Sequence, residues 1–532
     1  MTNHQTSVAA LRAVASEHPD GVAIVDDQWG EDVRLTWSQL LAAVRTFAAA
    51  LVDNGIAAGD RVAIWAPNSA HWPIAALGAH YAGATLVPLN TRYTATEVLD
   101  VLVRTHARAL VVAGAFLGTD RLADLTGLVD LASDTDVRLA VRIPLDDLTQ
   151  SPADHVRGLA IDWDDFLAGA TADARAQADI RADAVAPEDL SDILFTSGTT
   201  GRSKGVLAEH RQSMAGARAW GANGRLSSDD RYLMVNPYFH TFGYKAGILA
   251  CTLFATTMVP LAVYSAPAAM AAVQRHRVTV FPGAPTIFQT ILDDPDRATA
   301  DLSSLRLVVT GAAIVPVVLI ERIQRDLGVD TVITAYGLSE ASGFVSTCTP
   351  DDDDLTVATT CGRAFEGMEI TLSEAGEVLT RGAMVMRGYL DDPVATAETI
   401  DADGWLHTGD IGTIDDRGNL SITDRLKDMY ICGGFNVYPA EVEQTLTRIA
   451  DVTEAAVVGV PDERLGEVGR AFLTVRSGAT IDAGYVIEHC RSTLANFKIP
   501  RSVIVIDEFP RNAAGKILKR ELLAGTVNSG AE

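Results

Sequence analysis

A glycine-rich loop that follows a short apolar run most constrains how this chain of 532 residues can fold. The run, Asp192–Phe195, predicts a buried strand, and the loop continues from Thr196 to Gly205 with a lysine at position 204. Glycines let a backbone turn tightly, and hydroxyls beside unpaired N–H groups form a concavity that binds anions. The segment has neither the Walker A spacing nor the GxGxxG spacing of dinucleotide folds. It therefore predicts a phosphate-binding loop of another type.

The first 115 residues alternate between helical and strand patterns. Thr36–Gln39 is a candidate capping box, apolar residues then recur at helical spacing, and Gly55 ends the helix. Strands are predicted at Arg61–Trp65, Ala84–Leu89 and Ala109–Val112. This alternation predicts an α/β fold with mostly parallel sheets that helices cover.

The length of the chain predicts at least two domains. The composition changes near position 425, after which short strands and helices follow one another closely. We predict a large N-terminal domain of residues 1–425 and a smaller, mobile α+β domain of residues 426–532. The elements predicted in the second domain are strands at Ala455–Val460 and Ala471–Val475 and a helix at Ile481–Leu494.

Three segments have patterns that need an interpretation. Ser151–Leu190 is rich in Ala and Asp and weakly patterned, so a surface excursion is predicted. Ala246–Gln274 carries no charge and is long enough to span a bilayer, but its prolines and threonines favour a buried helix and strand. Asp351–Asp354 is interpreted as a solvated loop, because four adjacent side chains cannot converge on one metal ion.

Charge and cysteine usage restrict the partners and the compartment. The net charge of −26 argues against binding to nucleic acid and to anionic membrane surfaces. The five cysteines are scattered and form no CxxC pair, which favours a reducing compartment without a metal cluster. Residues 1–19 show no signal-peptide pattern. A cytoplasmic protein without an integral membrane segment is expected, and its oligomeric state, homodimer included, stays open.

Lysine is rare in this chain. Only six of the 43 basic residues are lysines, so the chain uses arginine wherever a generic positive charge suffices. A lysine that is kept is more often one whose compact ammonium is needed. Three of them lie in glycine-rich motifs, which strengthens this interpretation. The six are Lys204, Lys245, Lys427, Lys498, Lys516 and Lys519.

Four further segments carry unusual chemistry, and each has an ordinary interpretation as a turn or a cap when it is taken alone. In this order along the chain, however, they resemble the adenylate-forming superfamily, which includes acyl-CoA synthetases, luciferases and peptide-synthetase adenylation domains. The resemblance covers about Leu35 to Leu522. The four segments are Tyr336–Glu340, Gly404–Asp410, Asp424–Glu443 and Arg511–Glu521.

The resemblance implies a nucleotide site for ATP. The Thr196–Gly205 loop would contact the β- and γ-phosphates, residues 311–313 and 336–337 would form the adenine walls, and Asp410 would bind the ribose. Arg425 would be a second nucleotide contact. The implied nucleotide-binding residues are Ser197, Gly198, Thr199, Thr200, Gly201, Lys204, Gly311, Ala312, Ala313, Tyr336, Gly337, Leu338, Ser339, Asp410 and Arg425.

The resemblance also implies residues for Mg²⁺, for the acid and for coenzyme A. Glu340 and Thr196 would hold the metal, and Lys516 would be the catalytic lysine of adenylation. His240 would be a gate beside the acyl site. The remaining implied positions are the hinge at Lys427 and the pantetheine tunnel at Gly433 and Gly434.

Three departures from the family pattern are visible. Ser203 stands where proline is usual, so the loop can be less stiff. Ser339 replaces the commoner threonine and keeps the hydroxyl, and Cys361–Gly367 lacks two frequent prolines. None of these departures removes a charged catalytic group.

The predicted function is an AMP-forming acyl-CoA ligase that uses ATP, Mg²⁺ and coenzyme A. The whole chain looks most like actinobacterial synthetases that activate the bicyclic propanoate left from sterol ring breakdown. A medium-chain fatty or aromatic acid stays open as the substrate. A stand-alone amino-acid adenylating protein is a second alternative, although His240 stands where such proteins usually carry an aspartate. An inactive or luciferase-like relative is a third.

Overall fold

A computed structural model describes most of the chain. The described residues are 4–30, 32–145, 159–196, 203–311, 317–374, 376–425, 430–437, 439–476, 478–510, 517, 519 and 522.

Strands and helices alternate through these residues. The strands are β1 (Val22–Asp26), β2 (Val33–Thr36), β3 (Arg61–Trp65), β4 (Thr85–Pro88), β5 (Ala107–Ala113), β6 (Ala115–Phe116), β7 (Thr119–Asp120), β8 (Leu139–Ile143), β9 (Ala160–Asp162), β10 (Leu190–Thr196), β11 (Lys204–Glu209), β12 (Arg231–Met234), β13 (Thr257–Pro260), β14 (Val280–Gly283), β15 (Leu307–Gly311), β16 (Thr331–Tyr336), β17 (Ser346–Thr347), β18 (Arg363–Ala364), β19 (Met368–Leu372), β20 (Glu377–Gly382), β21 (Gly388–Tyr389), β22 (Leu406–Ile414), β23 (Leu420–Arg425), β24 (Tyr430–Cys432), β25 (Phe435–Val437), β26 (Val452–Asp462), β27 (Gly466–Val475) and β28 (Ser502–Val505).

The helices lie between these strands. They are α1 (Ser7–Glu17), α2 (Trp37–Asp53), α3 (His71–Tyr81), α4 (Ala95–Thr105), α5 (Arg121–Leu128), α6 (Leu131–Asp134), α7 (Trp163–Ala168), α8 (Ala172–Ala184), α9 (His210–Asn223), α10 (Thr241–Gly243), α11 (Ala250–Phe254), α12 (Ala266–His276), α13 (Pro285–Asp293), α14 (Val317–Leu327), α15 (Asp354–Thr359), α16 (Pro393–Thr399), α17 (Pro439–Leu446) and α18 (Ala483–Arg491), with a π-helix at Tyr244–Leu249 and 3-10 turns at Ser339–Ala341 and Asn496–Lys498.

Two large sheets form the N-terminal part. The nine-stranded sheet has the order β18-β17-β16-β15-β14-β12-β13-β1-β2, and the eight-stranded sheet has the order β21-β11-β10-β4-β3-β5-β8-β9. Their central pairs are parallel, whereas the edge pairs β1–β2, β16–β17 and β10–β11 are antiparallel. Helices cover these sheets, and the predicted fold class is confirmed.

The predicted first helix is confirmed with its caps. Thr36 accepts a hydrogen bond from the Gln39 N–H, and the Gln39 side chain accepts one from the Thr36 N–H, so the capping box is complete. The apolar stripe of α2 is buried, and Phe47 packs against α3 where Gly78 leaves room. A Cβ at Gly78 would lie 2.6 Å from a Phe47 ring carbon, so the helices approach closely because this residue is glycine.

The prediction of a surface excursion at Ser151–Leu190 is wrong for its described part. β9 joins the edge of the eight-stranded sheet, and α8 packs against α2. Ala174, Ala178 and Ala182 form the buried face of α8. The amphipathic stripe consists of alanines alone, so its hydrophobic signal is weak although its spacing is helical.

The other two interpretations fit the structure. The uncharged segment 246–274 forms part of the π-helix, α11, β13 and part of α12. Among the described residues, no helix combines the length and the apolar character needed to cross a membrane. The aspartates of 351–354 each have a different partner, and Asp353 caps α15 through the Thr356 N–H.

The C-terminal residues form a separate core. β24 to β28 build one sheet, and α17 and α18 pack against its strands or each other. The two strands predicted here from sequence lie within β26 and β27, and the predicted helix is confirmed by the shorter α18. Buried residues between Tyr430 and Leu522 form a hydrophobic cluster of their own. The predicted boundary at residue 426 lies outside the described residues and stays a prediction.

Candidate active site

The glycine-rich loop connects the two strands of an antiparallel hairpin. β10 ends at Thr196, β11 begins at Lys204, and these two residues are partners in the ladder. Residues 197–202, which include five predicted phosphate contacts, lie outside the described part. The Arg104 guanidinium donates to the Ser203 carbonyl oxygen at 2.7 Å, so α4 supports the loop where proline is usual in the family.

Lys204 and Glu340 converge on one tyrosine. The Lys204 Nζ lies 4.7 Å from the centre of the Tyr389 ring, and the Tyr389 hydroxyl donates to Glu340 Oε1 at 2.8 Å. The backbone of Glu340 is also held in place, because its carbonyl oxygen accepts a hydrogen bond from the Met386 N–H at 2.7 Å. The predicted phosphate lysine and the predicted metal carboxylate are therefore joined through one side chain.

Two glycines at the predicted adenine walls are required by close packing of the backbone. Gly311 ends β15, and a Cβ there would lie 2.5 Å from the Ala335 carbonyl oxygen. Gly337 follows β16, and a Cβ there would lie 1.9 Å from the Gly343 carbonyl oxygen. Both glycines lie at the carboxyl ends of neighbouring parallel strands, the usual ligand-binding edge of such sheets. Ala312 and Ala313 lie outside the described residues.

Tyr336 links the nine-stranded sheet to the predicted ribose carboxylate. Its hydroxyl donates to Asp410 Oδ2 at 2.5 Å. Asp410 belongs to β22, where its ladder partner is Arg425 of β23. The structure therefore brings together Tyr336, Asp410 and the backbone of Arg425. Leu338 and Ser339 follow in the turn that leads to Glu340.

His240 lies at the start of the short helix α10. Its Nδ1 accepts a hydrogen bond from the Phe242 N–H at 3.2 Å, and its ring keeps accessible surface. Desolvation by the surrounding protein lowers the pKa of His240 to about 4. The ring is therefore neutral at neutral pH, since even an ordinary histidine is mostly neutral there.

Gly433 and Gly434 form the turn between β24 and β25. Both have positive φ, +58° and +83°, as a two-residue hairpin of type I′ requires. A Cβ at Gly434 would meet Ala284 of the N-terminal part at 4.0 Å. This glycine therefore faces the residue that precedes α13. Lys427 and Lys516 lie outside the described residues.

Sequence reasoning missed Tyr389. It lies on the two-residue strand β21, which pairs with β11, and only 8% of its surface is exposed. Its partners lie 49 residues and 185 residues earlier in the chain. No spacing rule connects such positions, but the glycine before it, whose φ is +151°, is a local signal of an irregular edge strand.

Family profiles match both parts of the chain. The AMP-binding enzyme family matches residues 11–390, and the AMP-binding enzyme C-terminal domain matches residues 441–516. The chain belongs to the AMP-binding enzyme family, which confirms the adenylate-forming resemblance.

Two relatives share the same name, 3-[(3aS,4S,7aS)-7a-methyl-1,5-dioxo-octahydro-1H-inden-4-yl]propanoyl:CoA ligase. The protein from Rhodococcus jostii strain RHA1 is 57% identical over 97% of this chain and 98% of its own. The protein from Mycobacterium tuberculosis strain H37Rv is 56% identical over the same shares.

Two solved structures of one enzyme differ in their similarity to this chain. Both are o-succinylbenzoate CoA synthetase from Bacillus subtilis, 26% identical to this chain. A double mutant of that enzyme, bound to the product analogue OSB-NCoA, has a TM-score of 0.82 and covers 97% of each chain. The complex with the acyl-adenylate OSB-AMP has a TM-score of 0.66 and covers 96% of this chain and 97% of its own.

Proposed function

We propose that this protein activates the bicyclic propanoate 3-(7a-methyl-1,5-dioxo-octahydro-inden-4-yl)propanoate as its coenzyme A thioester. The predicted class, an AMP-forming acyl-CoA ligase, is confirmed by relatives that are 56–57% identical over nearly the whole of both chains. The observation that carries the mechanism is the connected set Lys204–Tyr389–Glu340, together with the Tyr336–Asp410 pair at the end of β16, four residues before Glu340.

The first half-reaction joins the acid to AMP. A carboxylate oxygen of the acid attacks the α-phosphorus of ATP, the bond from that phosphorus to the bridging oxygen breaks, and pyrophosphate leaves. Negative charge accumulates on the phosphate oxygens, and cationic groups placed there stabilise it. We assign Lys204 to the phosphates that leave, Lys516 to the reacting centre and Asp410 to the ribose hydroxyls.

Glu340 and Thr196 fit a magnesium ion. Both offer oxygen donors, which Mg²⁺ prefers, and the Tyr389 hydroxyl fixes the orientation of Glu340. When bound, the ion would neutralise charge on the phosphates. The side chains of the protein would then fix the position of the triphosphate.

The second half-reaction transfers the acyl group to a thiol. The sulfur of coenzyme A attacks the acyl carbon, the bond from that carbon to the AMP oxygen breaks, AMP leaves, and the thiol proton passes to solvent. His240 is neutral at the acyl side and brings no charge to the incoming thiol. Gly434 adds no side chain of its own toward Ala284.

We assign the domain arrangement described above to this second half-reaction. The assignment is supported by the two Bacillus subtilis complexes, since one enzyme gives a TM-score of 0.82 with a coenzyme A product analogue and 0.66 with an acyl-adenylate. The sequence identity is the same in both comparisons, so it does not account for the difference. The proximity of Gly434 to Ala284, where an added Cβ would lie 4.0 Å away, agrees with this assignment.

The test is AMP release from ATP and the bicyclic propanoate, measured with and without coenzyme A. We expect release that depends on coenzyme A, with one acyl-CoA formed per AMP and confirmed by mass spectrometry. Adenylate formation without any thioester, or no turnover of this acid, contradicts the proposal.

A further inference from the structure

Lys498 joins the two parts of the chain by an ion pair. Its Nζ lies 2.8 Å from Glu97 Oε1 on α4 of the N-terminal part and 2.7 Å from Glu441 Oε1 on α17 of the C-terminal part. Only 4% of the Lys498 side chain is exposed, with 14% of Glu97 and 15% of Glu441. It is one of the rare lysines that neither nucleotide nor acid binding explains.

The surroundings of the ammonium favour its charged form. The Lys498 Nζ also lies 4.9 Å from the centre of the Tyr93 ring and 5.7 Å from that of the Phe497 ring, so two carboxylates and two aromatic rings surround it. The two carboxylates raise the pKa of Lys498 against the opposing effect of burial. Burial raises the pKa of Tyr93 to about 12, so its hydroxyl stays neutral. The group is therefore a buried cation shared by two anions.

Other contacts place the same segment against the C-terminal part. The Arg92 guanidinium stacks on the Phe435 ring at 4.3 Å, and the Thr94 hydroxyl donates to the Thr493 carbonyl oxygen at 3.3 Å. Tyr93 packs against the C-terminal hydrophobic cluster. Residues 92–97 thus form a docking segment, and Lys498 is its charged centre.

The number of carboxylates that contact the Lys498 ammonium depends on the domain arrangement. Lys498 and Glu441 both belong to the C-terminal part, so that pair persists if the parts separate. Glu97 belongs to the N-terminal part, so its contact exists only while the docking segment is in place. Without the ammonium, docking would bring two largely buried carboxylates together, and such uncompensated burial is strongly unfavourable.

We propose that Lys498 is a positioning residue that holds the C-terminal part in the thioester-forming arrangement by bridging Glu97 and Glu441. The inference rests on the proposed function, which supplies the identity of that arrangement. The ammonium touches neither substrate nor cofactor. It lowers the energy of one domain arrangement and leaves the chemistry of the reacting groups unchanged.

The first experiment separates the half-reactions in Lys498→Met. Pyrophosphate exchange into ATP with the bicyclic propanoate measures adenylation, and conversion of the supplied acyl-adenylate by coenzyme A measures thioester formation. We expect adenylation to be retained and thioester formation to fall by about 100-fold, because Glu97 and Glu441 then repel each other. Unchanged thioester formation, or loss of both half-reactions, overturns the proposal.

The second experiment is a rescue across the interface. Glu97→Gln removes the charge but keeps the cap of α4, since Gln39 fills the same capping role in α2. Adding Glu97→Gln to Lys498→Met should restore thioester formation by about tenfold or more, because the repulsion is gone. If Lys498 served only the fold of the C-terminal part, a change on α4 would not rescue it. A double variant as slow as Lys498→Met therefore overturns the proposal.

Two further measurements complete the design. Glu488→Gln is the matched control, because it removes the carboxylate of an exposed ion pair with Arg491 on α18 and should change neither half-reaction. Small-angle X-ray scattering of the substrate-free protein measures the arrangement of the N-terminal and C-terminal parts directly. The wild-type curve should fit this structure, Lys498→Met should not, and the double variant should fit again. If the wild type forms no thioester while scattering follows this order, the proposed function fails and the bridging role stands.

Discussion

At the scale of single residues, Lys516 offers the sharpest separation of the two half-reactions. We assign its charge to the place where negative charge develops on the α-phosphate, and loss of one such stabilising group lowers the rate by about 100- to 1000-fold. Lys516→Ala should therefore abolish pyrophosphate exchange and spare conversion of a supplied acyl-adenylate to the thioester. Lys519→Ala, which removes an ammonium 2.7 Å from Glu443, is the control for loss of a nearby lysine. Equal loss of both half-reactions in Lys516→Ala would contradict the assignment.

Asp410 gives a second residue-scale prediction. If its carboxylate binds the ribose, Asp410→Asn should raise the KM for ATP by about tenfold, the value of one charge-assisted hydrogen bond. It should raise the KM for 2′-deoxy-ATP less, because that nucleotide lacks one of the hydroxyls concerned. Steady-state kinetics with both nucleotides measure the difference. An equal change for both nucleotides would remove Asp410 from the ribose site.

Gly434 should behave in the converse way to Lys516. Gly434→Leu places a branched side chain toward Ala284, where even a Cβ already lies 4.0 Å away. Pyrophosphate exchange should persist, and thioester formation should be lost. The positive φ also strains any other residue, so Gly434→Ala serves as the control that carries the strain without the bulk. Comparable thioester loss in both variants, together with a lowered Tm, would indicate a turn role alone.

Glu340 was predictable from a local sequence motif, whereas Tyr389 was not. The segment Tyr336–Glu340 predicted a role for Glu340 through its resemblance to the adenylate-forming superfamily. Tyr389 carries the hydrogen bond that orients this carboxylate, yet it comes from the opposite sheet. Local spacing predicts residues that share one turn, whereas contacts between sheets depend on the packing of the whole domain.

At the scale of elements, a buried ion pair connects the strand before the glycine-rich loop to the π-helix that follows α10. Lys245 Nζ lies 3.1 Å from Asp192 Oδ1, and neither side chain is exposed. Asp192 Oδ2 also accepts from the hydroxyls of Ser191 and Ser213 at 2.6 and 2.9 Å. The pair therefore links the phosphate side of the site to the acyl side.

Loss of one partner of this ion pair should destabilise the protein more than loss of both partners. Lys245→Met should destabilise the protein by about 3–5 kcal/mol, because it leaves a buried carboxylate without its cation. Adding Asp192→Asn should restore much of the loss, since the amide can still accept from both serines. Thermal and urea unfolding of the three variants measure this order. A double variant less stable than Lys245→Met would contradict it.

Helices were predictable where strongly apolar residues recurred at helical spacing. The stripe of Leu40, Val44 and Phe47, with a complete capping box, predicted α2 correctly. The alanine stripe of α8 was missed, although it packs against α2 and its Asp179 accepts a hydrogen bond from Tyr81 at 2.7 Å. A helix of small residues is specified by the neighbour that it packs against, and this neighbour is not visible in a local window.

At the scale of the whole molecule, the sequence predicted two folding units and their class but not how they meet. The docking segment 92–97 and Lys498 lie about 400 residues apart in the chain, and they meet across the contact between the two parts. The glycines of the β24–β25 turn were predicted by resemblance as a tunnel. Their position against Ala284 became visible only with both parts in place.

Acid selectivity is the prediction that tests the whole molecule. We expect the bicyclic propanoate to have the highest kcat/KM, ahead of octanoate and benzoate, with palmitate and phenylalanine lowest. His240 is neutral and offers no carboxylate to an ammonium, so binding phenylalanine would leave a charge unpaired, and its efficiency should be lower by about 1000-fold or more.

The measurement is AMP release with coenzyme A present, for all five acids at several concentrations. The two relatives named as ligases of this propanoate support the ring preference, and the neutral site at His240 supports the rejection of amino acids. His240→Asp tests the second argument directly, because a carboxylate there should narrow the gap between phenylalanine and benzoate. Highest efficiency with palmitate would refute the ring preference. Efficient turnover of phenylalanine by the wild type would contradict the prediction that the protein rejects amino acids.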